Sequence, residues 1–239
     1  MRKRKNNQGL TYILNIETAT KNCSVSLAKN GETILCKEIA ELGYSHAEKL
    51  HVFIEDILKE TQVNATNLNA IAVSKGPGSY TGLRIGVSAA KGLCYALEIP
   101  LLAIDTLELL AQQALHAIAQ PNGYIVPMID ARRMEVYSAM YDGNLTRINE
   151  VQAEVLTDKS YVDFTETILF VGDCQEKCKT VLTKDNFLFL SDVVYPSARE
   201  MSALSYAKFL NNEFEDVAYF EPFYLKEYLP GKSVVKGLR

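Results

Sequence analysis

The sequence predicts an α/β protein built as two lobes, each a mixed sheet flanked by helices. Three observations carry this reading. Segments that alternate with period two give way to segments with helical spacing along the whole of the 239 residues. The order βββαβα is written twice. Each copy opens with short strands and an Asn-Gly or Asp-Gly turn, the strongest short-range signal of a hairpin. Antiparallel starts followed by strands alternating with helices imply mixed sheets covered by helices.

In the first copy, residues 12–16 form a strand that ends in Glu17-Thr18-Ala19-Thr20, and residues 23–28 alternate before running into Asn30-Gly31. Residues 33–39 return as a third strand. Ser45 is placed to cap a helix over 46–59, with Glu48 completing a capping box and Ala47, Leu50, Ile54, Ile57 and Leu58 at helical spacing. Residues 70–74 read as a buried strand. A Gly/Pro-rich turn over 76–82 feeds a helix over 83–97, and Pro100 opens a strand over 101–104. After a helix over 107–119, the second copy places strands at 124–129 and 134–141 around the turn 130–133. Asp142-Gly143 then leads to a strand over 145–156. Residues 168–172, 175–182, 187–190 and 197–210 supply strand, helix, strand and closing helix, the last with Ala198, Met201, Leu204, Ala207 and Phe209 mostly inward. This divides the chain into a basic tail over 1–10, a first lobe over 11–106 and a second over 107–239, whose C-terminal segment is free to return to the first lobe.

Charge and cysteines exclude several classes. The formal charge of −4 includes Arg2, Lys3, Arg4 and Lys5 ahead of the first patterned segment, which leaves the body at −8. An acidic body is a poor counterion for phosphate backbones, so nucleic-acid binding by this chain alone is not expected. Five scattered cysteines, an odd number without a signal peptide, fit a reducing cytoplasm. Cys174 and Cys178 are spaced one residue wider than a redox or zinc CxxC pair. No apolar run approaches the ~18 residues of a membrane span.

The string Gly76-Pro77-Gly78-Ser79-Tyr80-Thr81-Gly82 is the most distinctive in the chain. A glycine-rich turn from strand into helix is able to cradle phosphate, but its spacing fits neither the Walker A nor the dinucleotide fingerprint. A structural turn that sets helix packing is the favoured reading. The helix it launches is small or apolar almost all round, which marks it as buried on more than one side. Gly86, Ala89, Ala90 and Gly92 would admit a second helix, the one over 46–59 being the natural neighbour. The apolar surface left over on this pair reads equally as the seat of a protein partner or as core. His46 and His51, five apart, project about 140° from one another on a helix and cannot share a metal. Asp130-Ala131-Arg132-Arg133 clusters two guanidiniums at a turn. These either clamp a carboxylate or phosphate or, more cheaply, pair with Asp130 and Glu135.

The duplicated pattern resembles the actin-like, heat-shock-ATPase and sugar-kinase (ASKHA) superfamily, which grips ATP between lobes with paired turns. Its first phosphate turn carries a glycine; Glu17-Thr18-Ala19-Thr20 has none. The strings Ile13–Thr20, Ser45-His46, Gly76–Gly86, Asp130–Arg133 with Glu135-Val136-Tyr137, and Pro222–Leu225 together resemble the TsaB (YeaZ) family. That resemblance implies a non-catalytic partner in threonylcarbamoylation of adenosine 37 in tRNAs reading codons that begin with A. It implies pairing through the first-lobe helices with the homologous transferase TsaD, joined by the ATPase TsaE, and homodimerisation when alone. The tRNA would be met only through the complex.

For the interface it points to His46, Leu50, Phe53, Ile54, Ile57, Arg84, Val87, Ala90, Lys91 and Cys94, with Ala90→Glu as the natural disruption. Glu17, Thr18, Asp130, Arg132 and Arg133 would line a vestigial cleft. No metal and no tightly bound cofactor are expected, with weak ATP or ADP binding at the complex interface as the residual nucleotide site. TsaD carries metal-binding histidines after the strand matching 101–104; Asp105 and Glu108 stand there instead and read as a helix cap and a surface glutamate. An autonomous ATPase or kinase and a glycoprotease-like peptidase are the rival readings.

Overall fold

The structure, a computed structural model, describes residues 9–40, 46–118 and 123–226. Ser45 and the basic residues 2–5 lie outside the described residues. The first half comprises β1 (Tyr12–Glu17), β2 (Cys23–Lys29), β3 (Glu32–Ile39), α1 (His46–Glu60), β4 (Ala70–Gly76), α2 (Tyr80–Leu97), β5 (Leu101–Asp105) and α3 (Thr106–Ala117). The second comprises β6 (Gly123–Asp130), β7 (Glu135–Ser138), β8 (Gln152–Val155), β9 (Thr167–Gly172), α4 (Gln175–Cys178), β10 (Phe187–Phe189) and α5 (Met201–Leu210).

The duplication is complete at the level of the sheets. The first runs β3-β2-β1-β4-β5 and the second, read in the same sense, β8-β7-β6-β9-β10. In each, the first three strands pair antiparallel and the last three parallel. The helices are not equally duplicated. Between β8 and β9 the chain forms turns where the first half has α1, and Tyr161 and Phe164 from those turns cover the sheet beside Phe170. The second half therefore runs ββββαβα, as the segments placed over 145–156 and 168–172 with no helix between them imply, and is not a full repeat of βββαβα.

Period-two alternation sorts each strand between two cores. Leu14, Ile16, Ile71 and Val73 meet α1 and α2, while Ile13, Ala70, Ala72 and Ile104 meet α5. On the second sheet Ile125, Ile129, Leu169 and Val171 meet α3; Val126, Met128, Ile168 and Phe170 meet α4 and the aromatic turns. The helix closing each half thus packs on the sheet of the other: α3 covers the second sheet and α5 the first. A buried polar seam fixes α5 in place. Asn15 Nδ2 donates to Ser26 Oγ at 3.0 Å and to Ser202 Oγ at 3.2 Å, and Ser26 Oγ donates to the Ala198 carbonyl at 2.6 Å.

Several boundaries differ from expectation for identifiable reasons. Helix α5 starts at Met201 rather than 197 because the Ala198 amide bonds to Ser24 Oγ and its carbonyl to Ser26. Its inward residues include Ser202 and Ser205, whereas Ala207 is exposed. Helix α2 starts at Tyr80 rather than 83, since Ser79 caps it by accepting from the Gly82 amide at 3.3 Å. Strand β8 is only four residues long. Ahead of it Leu145 takes a positive φ and the Asn149 side chain, not the backbone, bonds the Met140 amide. Helix α4 stops at Cys178, before the β-branched Thr180-Val181.

Candidate functional site

The turn between β1 and β2 is gripped by both first-lobe helices. From α1, His46 donates through Nε2–H to the Thr20 carbonyl at 2.8 Å. From α2, the Ser79 amide donates to the Ala19 carbonyl at 2.6 Å, and Thr18 Oγ1 returns a bond to the Gly82 carbonyl at 2.8 Å. Three glycines allow this approach. A Cβ at Gly78 or Gly82 would collide with the carbonyl oxygens of Ala19 and Thr18, and one at Gly86 with Thr18 Oγ1. Gly76, at φ 113°, packs its α-carbon against the Phe223 carbonyl. The Gly76–Pro77 bond is cis. The motif over 76–86 is therefore a device for seating α2 on the turn 17–20.

Beneath the turn, Glu17 is wholly buried, and its Oε1 accepts from the Ala19 amide at 2.5 Å. Burial pushes its carboxyl up to about 7, against the pull of the Ala19 amide bond in the other direction. Asp105 caps α3 by accepting from the Leu107 and Glu108 amides at 2.9 and 3.3 Å. Glu108 is half-buried rather than a surface residue, and burial raises its carboxyl. Among the described residues no group of three or more His, Cys, Asp or Glu is arranged to hold a metal ion.

The C-terminal residues 214–226 form a strap along α2 that sequence reasoning did not resolve beyond the Pro222–Leu225 string. Glu215 bridges to Leu101 of β5. Lys91 Nζ donates to the Ala218 and Phe220 carbonyls at 3.2 and 2.9 Å, and the Phe223 amide donates to the Lys75 carbonyl at 2.7 Å. Arg84 lies 4.3 Å over the Tyr80 ring and donates through Nε to the Tyr224 hydroxyl at 3.2 Å; the two tyrosine rings are 4.9 Å apart. Lys226 then reaches Glu135 on β7. The cluster Tyr219-Phe220 with Phe223-Tyr224 after the last helix was the available signal.

These contacts redistribute the expected interface residues. Leu50, Ile54, Ile57, Val87, Ala90 and Cys94 lie in the chain's own core, with Phe53 packed against it, and Arg84 and Lys91 hold the strap. Ala90→Glu would thus bury a charge in the first-lobe core rather than probe an interface. Among the residues the two helices turn outward are Val52, 48% exposed, Tyr95, 83% exposed, and Gly92, whose missing Cβ faces open space.

In the second lobe, Asp130 pairs with Lys177 and Glu135 with Lys226, so the arginine pairing expected for this turn is replaced by lysines. Arg132 and Arg133 are exposed.

Residues 40–229 match the family described as TsaD: tRNA N6-adenosine threonylcarbamoyltransferase. The tRNA threonylcarbamoyladenosine biosynthesis protein TsaB of Escherichia coli is 32% identical over 92% of this chain and 99% of its own length. The chain belongs to the TsaB family. The TsaB of Bacillus subtilis is 31% identical over 90% of this chain and 93% of its own length. The solved YeaZ of Pseudomonas aeruginosa superposes with a TM-score of 0.78 at 27% identity, covering 90% of this chain and all of that one. The two-sheet architecture is the frame that this TsaB-family chain shares with that structure. No described helix is long and apolar enough to cross a membrane, and all five cysteines are free thiols.

Proposed function

We propose that this chain is the supporting, non-catalytic subunit of tRNA threonylcarbamoyladenosine synthesis in the cytoplasm, docking on a TsaD-type transferase through the outer face of α1 and α2, with a TsaE-type ATPase joining the pair. The observation that carries the reading is the seating of the turn 17–20. A phosphate-binding turn offers its amides to ligand; in this one the Ala19 amide goes to Glu17 and the Ala19 and Thr18 carbonyls face α2. The same contacts present α1 and α2 as one rigid unit, with Val52, Gly92 and Tyr95 outward. An exposed aromatic beside an open glycine on a helix suits close helix–helix docking. A second copy of the chain would cover this face when the transferase is absent.

The test is reconstitution of transferase, ATPase and tRNA with and without this chain, scored for modified adenosine. Omission should abolish modification, and ATP turnover by the chain alone should stay at background. Tyr95→Asp and Gly92→Glu, both at open positions, should leave unfolding unchanged and abolish co-purification with the transferase. Modification that proceeds without the chain would refute the role, and retained capture by both variants would refute the docking face.

A further inference from the structure

The turn joining β6 to β7 combines a rigidly held backbone with two guanidiniums that no described carboxylate engages. Arg132 and Arg133 both take positive φ, 75° and 53°, a conformation that residues other than glycine hold only where the surroundings impose it. The surroundings do so. The Arg132 amide donates to Asp130 Oδ1 at 2.8 Å, the Asp130 amide to Asp173 Oδ1 at 2.8 Å, and the Glu135 amide to the Arg132 carbonyl at 3.1 Å. Lys177 Nζ binds Asp130 and donates to the Arg133 and Glu135 carbonyls, each at 2.8 Å.

Every nearby acid is thereby engaged. Asp130 holds Lys177, Glu135 holds Lys226, and Asp173 holds a backbone amide, while Lys21 from the β1–β2 turn adds its field to Asp130 and Asp173. Arg132 has Tyr137 as an electrostatic neighbour; among the described residues neither arginine has an ion-pair partner. Five cations, Lys21, Arg132, Arg133, Lys177 and Lys226, thus gather around three acids on an otherwise acidic body.

We infer that Arg132 and Arg133 form an anion clamp that takes backbone phosphates of the RNA on which the assembly acts. This rests on the proposed role in tRNA modification. A preorganised turn bearing free guanidiniums suits phosphodiester oxygens, which Arg recognises by paired hydrogen bonds. A free nucleotide would also need amides from the opposing first-lobe turn, where the Ala19 amide is already engaged by Glu17. The acidic body keeps the clamp from binding RNA tightly alone; the transferase would bring the RNA to it.

The experiment is a salt titration of tRNA binding by the reconstituted assembly, read by fluorescence anisotropy, alongside steady-state modification kinetics. The double variant Arg132→Ala/Arg133→Ala should make the dependence of log K on log salt shallower by about two. It should raise KM for tRNA on the order of tenfold with kcat retained. Arg132→Lys/Arg133→Lys should restore the salt slope and part of KM. An unchanged slope and KM overturns the clamp, as does loss of transferase capture by the double variant, which would make the turn a protein contact. Titration of the chain alone with ATP and with inorganic phosphate supplies the other arm: binding that disappears in the double variant while the tRNA slope is unchanged assigns a nucleotide site and overturns the RNA assignment. If the wild-type assembly fails to modify tRNA, the functional reading falls, and the anisotropy arm still decides the clamp.

Discussion

Asp105 at the end of β5 and Arg147 in the loop before β8 meet across the two halves, Oδ2 to NH1, at 3.8 Å. The carboxylate is nearly buried and the guanidinium 39% exposed. Asp105 has two duties, capping α3 and facing Arg147, and they are separable. Asp105→Asn keeps an oxygen for the cap and should cost less than about 1 kcal/mol, as expected for a partly solvated pair. Asp105→Ala removes the cap as well and should cost about 1–2 kcal/mol. Urea unfolding of both variants checks the order.

The glycines that seat α2 make a sharper prediction. Gly82→Ala places a methyl against the Thr18 carbonyl, which is backbone and cannot swing away. A loss of about 1–3 kcal/mol is expected, as for overpacking a core, with weaker capture of the transferase because α2 shifts. Gly92→Ala, with open space at its Cβ, should instead be neutral or slightly stabilising by helix propensity. Thermal unfolding of the pair separates a packing requirement from a general intolerance of α2 to side chains.

Glu17 ties stability to pH. With its folded pKa raised to about 7 from 4.5, the folded carboxyl between those values holds a proton that the unfolded chain has released. Stability therefore falls as pH rises through this window, by up to about 3 kcal/mol in total. Glu17→Gln removes that dependence. Unfolding of wild type and variant from pH 4.5 to 7.5 should show the wild type losing ground to the variant as pH rises; parallel curves would contradict the buried-acid account.

The polar seam under α5 is tested at Ser202, whose hydroxyl meets both Asn15 Nδ2 and, at 2.5 Å, Thr33 Oγ1. Ser202→Val leaves one N–H of the buried Asn15 amide short of a partner, while half-buried Thr33 keeps its bond to the Arg199 carbonyl at 2.6 Å, and should cost about 1–3 kcal/mol. Because α5 belongs to the second half but covers the first sheet, the loss should appear as one cooperative transition for the whole chain by circular dichroism and tyrosine fluorescence alike.

Local chemistry made much of this readable in advance. Asn30-Gly31 supplies the positive φ values a tight hairpin needs, and apolar spacing at Leu50, Ile54 and Ile57 marks a buried helix face, so the strands of both sheets and all five helices can be located, though not always bounded, from short stretches. The glycines of 76–86 can be recognised as a close-approach motif from residues alone. The late start of α5 cannot, because it depends on bonds from Ala198 to Ser24 and Ser26 in the other half of the chain.

Periodicity states that a side chain is buried without stating against what. That is why Leu50, Val87 and Ala90 read equally well as an interface and as the first-lobe core, and why two arginines beside two acids read as self-neutralising until Lys177 and Lys226 arrived from elsewhere in the chain. The amino-acid order set the duplication, the hairpins and the glycine motif, since each rests on dihedral preferences and spacing within a few residues. Packing chose the partners. It put α5 on the opposite sheet, laid 214–226 along α2 and freed Arg132 and Arg133, because burial and ion pairing are settled between segments that only the assembled fold brings together.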